Sequence, residues 1–171
     1  MDNKIIELLN TAITMEENGY DFYIATQENS ENSLTSKLFS SLAEQELLHI
    51  EYIKRFYDNL KSDVGLPSID IIKSKRDKSK IFNVDIATLK EKVKNQEDDV
   101  KAYEFALELE KKGYEFYEKL LADATDPNLK AFIEFLVKEE HDHYALIEKA
   151  YGYVTDTQNW FMNEEGSFPQ G

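Results

Sequence analysis

Glu16, Glu46, Glu110 and Glu140, together with His49 and His143, supply carboxylate and imidazole donors of the kind that hold a pair of first-row transition metal ions. Their spacing, more than their types, singles them out. The stretch Met15-Glu16-Glu17-Asn18-Gly19-Tyr20-Asp21-Phe22-Tyr23 recurs 94 residues later as Leu109-Glu110-Lys111-Lys112-Gly113-Tyr114-Glu115-Phe116-Tyr117. Glu46-Leu47-Leu48-His49 recurs at the same offset as Glu140-His141-Asp142-His143. A glutamate and a histidine three residues apart on a helix share a face, so both can reach one ion or its neighbour. A bundle built from two copies of a helix pair is symmetric about its centre, and the repeated side chains meet there.

The chain has 34 acidic residues, so the choice of four needs a physical filter, which their helical neighbours provide. Glu16 shares its face with Leu9, Ala12, Ile13, Gly19, Tyr20 and Tyr23, and Glu46 with Phe39, Leu42, Ala43, His49, Ile50 and Ile53. Glu110 has Tyr103, Ala106, Leu107, Gly113, Tyr114 and Tyr117; Glu140 has Ile133, Leu136, Val137, His143, Tyr144 and Ile147. All four lie on apolar stripes. Glu108, among Lys101, Glu104, Lys111, Lys112 and Glu115, and Glu44, among Lys37, Ser40, Ser41 and Glu51, face solvent instead. Glu17 and Glu139 have mixed surroundings and are expected at the edge, and His141, beside Glu134, Lys138 and Glu148, at the surface.

Burying ionised carboxylates without compensation costs several kcal/mol each, and crowding four of them disfavours ionisation further. Two divalent cations cancel four negative charges. The oxygen-rich set suits iron or manganese better than copper, while affinity order alone favours zinc. Glu46 and Glu140 are placed to bridge the ions, with Glu16 and Glu110 as terminal ligands. Tyr23 and Tyr117, two turns from the terminal glutamates, fit three roles: a hydrogen bond to a ligand carboxylate, electron donation, or core packing, the commonest of the three for a tyrosine on such a face. Gly19 and Gly113 either leave space at the metals for an oxygen species or allow close helix packing.

Four long segments with apolar residues at helical spacing must position these groups. The expected helices run over about 3–28, 33–59, 95–124 and 127–151. Ser33 is the expected cap of the second, Asn95 with Asp98 a capping box for the third, and Asp126-Pro127 a strong start for the fourth, which Gly152 is placed to stop. Helices of this size are about 38 Å long. Two short connections make each pair antiparallel, and residues 60–94, with a short helix expected over Val84–Val93, are long enough to cross the bundle. The predicted fold is all-α: a ferritin-like four-helix bundle over 1–152 with one long crossover between helices two and three. A short tail, 153–171, carries Trp160, Phe161 and Phe168 and is expected to pack on the bundle or on a partner.

At 171 residues, 42% hydrophobic and 12% aromatic, the chain can bury the core of one domain. A formal charge of −14 argues against nucleic acid and anionic membranes as partners, and the basic stretch Lys73–Lys80 reads as a solvated loop. Without cysteine there is no disulfide, thiolate nucleophile, cysteine zinc site or iron–sulfur centre, so redox work must use another cofactor. Glu7 and Asn10 interrupt the first apolar stretch, so neither a signal peptide nor a membrane span is expected, and the expected location is cytoplasmic.

Residues 1–59 and 95–152 resemble the rubrerythrin branch of the ferritin-like di-iron proteins. The motifs that carry the likeness are Glu16 with Gly19-Tyr20 and Tyr23, Glu46 with His49, Glu110 with Tyr117, and Glu140 with His143. The resemblance implies a di-iron centre, reduction of hydrogen peroxide or dioxygen by ferrous iron, and a homodimer or larger assembly. Two departures matter. Rubrerythrins typically end in a four-cysteine rubredoxin domain, absent here, which implies an external redox protein as electron donor. They also carry a further carboxylate ligand on the third helix, where this chain has Gly113.

The leading expectation is a di-iron oxidoreductase that reduces peroxide or dioxygen, with two iron ions as cofactor and manganese or zinc as substitutes. The alternatives are a ferroxidase or iron-handling protein, and a non-enzymatic, metal-stabilised sensor or interaction module that uses Trp160 and the tail.

Overall fold

The computed structural model describes residues 3–62 and 96–156, with side chains over 5–59 and 99–156. The described residues form helices α1 (Asn3–Asn29), α2 (Ser33–Ser62), α3 (Gln96–Asp123) and α4 (Pro127–Thr155). They pack as two antiparallel pairs, α1 on α2 and α3 on α4, and α1 approaches α3 closely at only a few points. This is the all-α, ferritin-like four-helix bundle expected from the repeat. No helix among the described residues is long and apolar enough to cross a membrane. The short helix expected over Val84–Val93, the basic stretch Lys73–Lys80, Asn95, and Trp160, Phe161 and Phe168 lie outside the described residues.

Local chemistry sets the helix starts. Asp126 has extended backbone and its carboxylate accepts from the Asn128 and Leu129 N–H groups at 2.9 Å, while Pro127, lacking an N–H, occupies the first turn. The α2 cap is Asn32 rather than the expected Ser33. Its Oδ1 accepts from the Leu34 N–H at 2.9 Å and the Thr35 N–H at 3.4 Å, which makes Ser33 the first helical residue. The fourth helix does not stop at Gly152 either. It runs on to Thr155, burying Tyr153 and Val154, and the Asp156 N–H closes it on the Gly152 carbonyl at 3.0 Å.

The core divides into two hydrophobic clusters. Leu9, Ala12, Ile53, Tyr117, Ile133 and Leu136 belong to one, and Tyr103, Ala106, Ile147, Tyr23, Phe39 and Leu42 to the other. Each residue of the first group has its counterpart, 94 positions away, in the second. The repeat therefore exchanges the two clusters about a pseudo-two-fold axis. Side chains on that axis are flanked by apolar layers on both sides, and that is where the repeated glutamates and histidines sit.

A buried polar network joins the start of α3 to the α1–α2 turn. Asp99 accepts from Ser30 Oγ at 2.8 Å and Thr35 Oγ1 at 3.2 Å, and Tyr103 donates its hydroxyl to Thr35 Oγ1 at 3.3 Å. Asp99→Ala leaves the buried Thr35 hydroxyl without its acceptor, while Ser30 keeps the Asn32 carbonyl at 3.3 Å, so it should lower unfolding free energy by about 1–3 kcal/mol, as measured by urea denaturation. A loss under about 0.5 kcal/mol would show that the network does not hold the two halves together.

Candidate metal centre

All six residues selected from the sequence converge at the middle of the bundle. Glu16 comes from α1, Glu46 and His49 from α2, Glu110 from α3, and Glu140 and His143 from α4, and each is at most 3% exposed. Two groups of donor atoms form: Glu16, Glu46, His49 and Glu140 in one, and Glu46, Glu110 and His143 in the other, with the atoms of each group within 4.8 Å of one another. Glu46 belongs to both. Its Oε2 is 3.5 Å from His49 Nδ1 and its Oε1 3.3 Å from His143 Nδ1. His49 Nδ1 also lies 3.5 Å from Glu16 Oε2 and 3.6 Å from Glu140 Oε1, and His143 Nδ1 lies 3.5 Å from Glu110 Oε2. The two imidazoles stack with centroids 5.3 Å apart and 17° between planes.

These separations test whether the residues suit metal ions. At 3.3–3.6 Å they are too long for good hydrogen bonds, and both oxygens of Glu46, Glu110 Oε2, Glu140 Oε1 and His143 Nδ1 make none. With metal–ligand bonds of about 2.1 Å, the edges of a coordination shell run about 3.0 Å in an octahedron and about 3.4 Å in a tetrahedron. Buried donors left without hydrogen-bond partners at such spacings fit a metal pair, and the carboxylate–imidazole set is compatible with iron.

Proton affinities express the same strain. Burial, then the neighbouring Glu46, pushes the Glu16 carboxyl up to about 8. Glu140 rises well above the usual carboxylate range through burial and the charges of Glu16, Glu110 and Glu46. Burial acts on Glu46 in the same direction, but contacts with Glu16, His143 and His49 outweigh it and hold Glu46 well below its usual range. Burial would lower the histidines; instead the facing carboxylates raise His49 well above its ordinary value and His143 to about 9. Without cations the cluster collects protons to offset its negative charge.

Tyr23 and Tyr117 are fully buried and hydrogen-bond to the cluster. Tyr23 on α1 donates its hydroxyl to Glu110 Oε1 on α3, and Tyr117 on α3 donates to Glu16 Oε1 on α1. Burial and the adjacent carboxylates raise both phenols well above their ordinary values, which keeps them protonated donors. The bonds are exchanged across the pseudo-two-fold axis, tying the two halves together.

The surface controls separate cleanly. Glu108 is exposed and pairs with Lys112 at 2.6 Å, and Glu44 and His141 are exposed; Glu17, expected at the edge, is exposed as well and pairs with Lys54 at 3.0 Å. Glu139 departs from its expected place at the edge. It is 2% exposed, with Oε2 3.8 Å from His49 Nε2. Its face carries Phe132, Phe135, Leu136 and Leu146 beside the polar Asp142 and His143, and those four apolar residues were the signal for its burial.

The two repeat glycines are not equivalent. A methyl group on Gly19 would make ordinary contacts, 3.5 Å from Leu109 Cδ2 and 3.7 Å from the Glu46 carboxyl carbon. On Gly113 it would lie 2.7 Å from Glu140 Oε2, so the missing side chain is the seat of that carboxylate. A surface cavity of about 200 Å³ between α1 and α3 is lined by Met15, Asn18, Phe105, Glu108, Leu109 and Lys112. Met15 and Leu109, repeat counterparts, are the side chains in contact range of Gly113 and Gly19 respectively.

Residues 7–151 match the Rubrerythrin family, and the chain belongs to it. A hypothetical protein from Pyrococcus furiosus has a similar structure, with a TM-score of 0.65 at 21% sequence identity over 87% of this chain and 89% of that one. That likeness bears on the fold. No curated protein matches the sequence.

Gly19→Ala should raise the melting temperature of the metal-free protein, since alanine favours a helix over glycine by about 0.5–1 kcal/mol, and leave metal uptake intact. Gly113→Ala should instead weaken metal uptake by displacing Glu140. Calorimetric titration with Zn(II), beside thermal melts, distinguishes the two; equal uptake by both variants would remove the role given to Gly113.

Proposed function

We propose that this member of the rubrerythrin family is a di-iron oxidoreductase that reduces hydrogen peroxide or dioxygen with electrons from an external redox protein. The observation that supports this most directly is the convergence of four buried carboxylates and two imidazoles, of which Glu46, Glu110, Glu140, His49 and His143 turn atoms into the cluster that make no hydrogen bonds. When bound, the iron pair supplies two electrons and Lewis acidity. Glu16, Glu46, His49 and Glu140 would hold one ion, and Glu46, Glu110 and His143 the other, with Glu46 between them.

The remaining chemistry belongs to the protein. Tyr117 and Tyr23 fix the orientation of Glu16 and Glu110 through one oxygen each, leaving Glu16 Oε2 and Glu110 Oε2 directed at the imidazoles. Apolar clusters on both sides exclude bulk water. Peroxide reduction consumes two electrons and two protons and yields two waters. Met15 and Leu109 line the surface cavity between α1 and α3 and also stand next to Gly113 and Gly19, which makes this the side from which a small uncharged oxidant would approach. With no cysteine in the chain, no rubredoxin-type centre can pass electrons from within it.

Glu46→Ala and His143→Ala should each lose most of the bound iron measured by plasma emission spectrometry, while Glu108→Ala keeps it; equal content in all three would contradict the assignment. Chelation should lower the melting temperature, because a ligand that binds only the folded state stabilises it by mass action, about 2.7 kcal/mol at a concentration a hundredfold above Kd. Anaerobic mixing of the ferrous protein with hydrogen peroxide should develop ferric absorption within seconds. No change over minutes in a protein carrying two irons would sink the oxidoreductase reading and leave iron handling or a structural role.

A further inference from the structure

Both histidines direct Nδ1 into the cluster and Nε2 away from it, so the environment of Nε2 decides how each ring is held. Metal-ligating histidines generally donate their second N–H to a carboxylate or carbonyl, which fixes the tautomer and strengthens the ligand. The two halves of this bundle differ at that position. Behind His49 lies the buried Glu139, with Oε2 3.8 Å from Nε2. Behind His143, among the described residues, no carboxylate is in ion-pair range of Nε2; neither Nε2 makes a hydrogen bond, the 3.8 Å between His49 and Glu139 being too long for one, so the halves differ in the carboxylate that stands behind the ring. The repeat counterpart of Glu139 is Gln45, a half-buried neutral amide whose Nε2 donates to the Ser41 carbonyl at 3.3 Å. No other pair adjoining the six repeated donors replaces a buried carboxylate in one half by an uncharged group in the other.

We propose that Glu139 is a positioning residue for one half of the centre alone, its carboxylate set behind the ring to accept the His49 Nε2–H hydrogen bond once Nδ1 holds a metal, so that the metal position at His49 binds more tightly than the one at His143 and fills first. This rests on reading the cluster as a two-metal centre. Glu139 does not touch the ion. It acts through the ring, holding Nδ1 toward the metal and making it a better donor, and it adds negative charge to a position already faced by Glu16, Glu46 and Glu140. The His143 position has Glu46 and Glu110 only, and no charge behind its ring.

Anaerobic titration of the metal-free, full-length protein with Co(II), followed by d–d absorption and by calorimetry, tests this. The wild type should bind in two resolved steps of one ion each. Glu139→Gln, which keeps shape and removes charge, should weaken the first step by about 10–100-fold and leave the second in place, merging the two. Gln45→Glu should tighten the second step toward the first, an independent arm that does not depend on how Glu139→Gln folds. In the wild type, the proton-coupled 15N NMR signal of His49 Nε2 should lie in the hydrogen-bonded range, and it should move in Glu139→Gln while that of His143 stays. Two indistinguishable Co(II) steps in the wild type, or unchanged steps in both variants, would overturn the role of Glu139 while leaving two ions bound. Failure of the wild type to bind two Co(II) ions would instead bring down the two-metal reading, and this inference with it.

Discussion

Mutual repulsion among Glu16, Glu46, Glu110 and Glu140 is the constraint around which the bundle is organised. Each is nearly inaccessible to water, and effective desolvation penalties for such groups are several kcal/mol apiece. The fold supplies partial relief in two ways. The imidazoles of His49 and His143 face the carboxylates and are pushed toward their protonated forms, and Tyr23 and Tyr117 donate hydrogen bonds to two of the four. Neither completes the neutralisation, since Glu140 is still driven strongly toward its protonated form. A pair of divalent cations would carry the missing charge, and the spacing of the donors is compatible with one. The cluster is thus costly without ions and is held in place by apolar packing that does not depend on them.

That packing comes from the repeat. The two hydrophobic clusters exchange under the 94-residue offset, so the apolar layer on one side of the centre is built from the same positions as the layer on the other. Symmetry alone brings the ligands together in pairs, and the crossed bonds from Tyr23 to Glu110 and from Tyr117 to Glu16 lock α1 to α3, whose backbones approach closely at only a few points. Departures from symmetry therefore carry information. Phe56 stacks on Phe132 with centroids 4.4 Å apart, whereas the counterpart of Phe56 is Ala150, so the two apolar layers are filled differently. Glu139 against Gln45 is a departure that places charge beside the centre.

The bundle and the six central side chains were legible because both depend on periodicity, which a sequence displays openly. A glutamate flanked at three, four and seven positions by apolar residues has one place to go in a helical bundle. Features decided by tertiary context were less visible. Gly152 looked like a stop, yet burying Tyr153 and Val154 outweighs the roughly 1 kcal/mol that a glycine costs within a helix. Asn32 and Ser33 both make good caps, and Asn32 holds the position because its amide oxygen reaches two N–H groups of the first turn. Glu139 was expected at the edge for its mixed surroundings, although Phe132, Phe135, Leu136 and Leu146 share its face with Asp142 and His143. Four apolar residues on one face outweighed the two polar ones, and the side chain is buried.

Gly113 shows how local geometry narrows a choice that sequence leaves open. A glycine within a helix costs stability, so one next to a ligand must allow something that a side chain would prevent. Space for an oxygen species and close helix approach are both reasonable answers from the sequence. In the structure the space is filled by Glu140 Oε2, which lies where the first carbon of any side chain would intrude, while Gly19 in the other half faces nothing closer than 3.5 Å. A side chain at position 113 would enter the same point from α3. Here the point is reached from α4 instead, by a residue that must also belong to the donor group of His49. The absence of a carboxylate on α3 and the orientation of Glu140 are therefore one feature, and a side chain cannot be restored at Gly113 without moving Glu140.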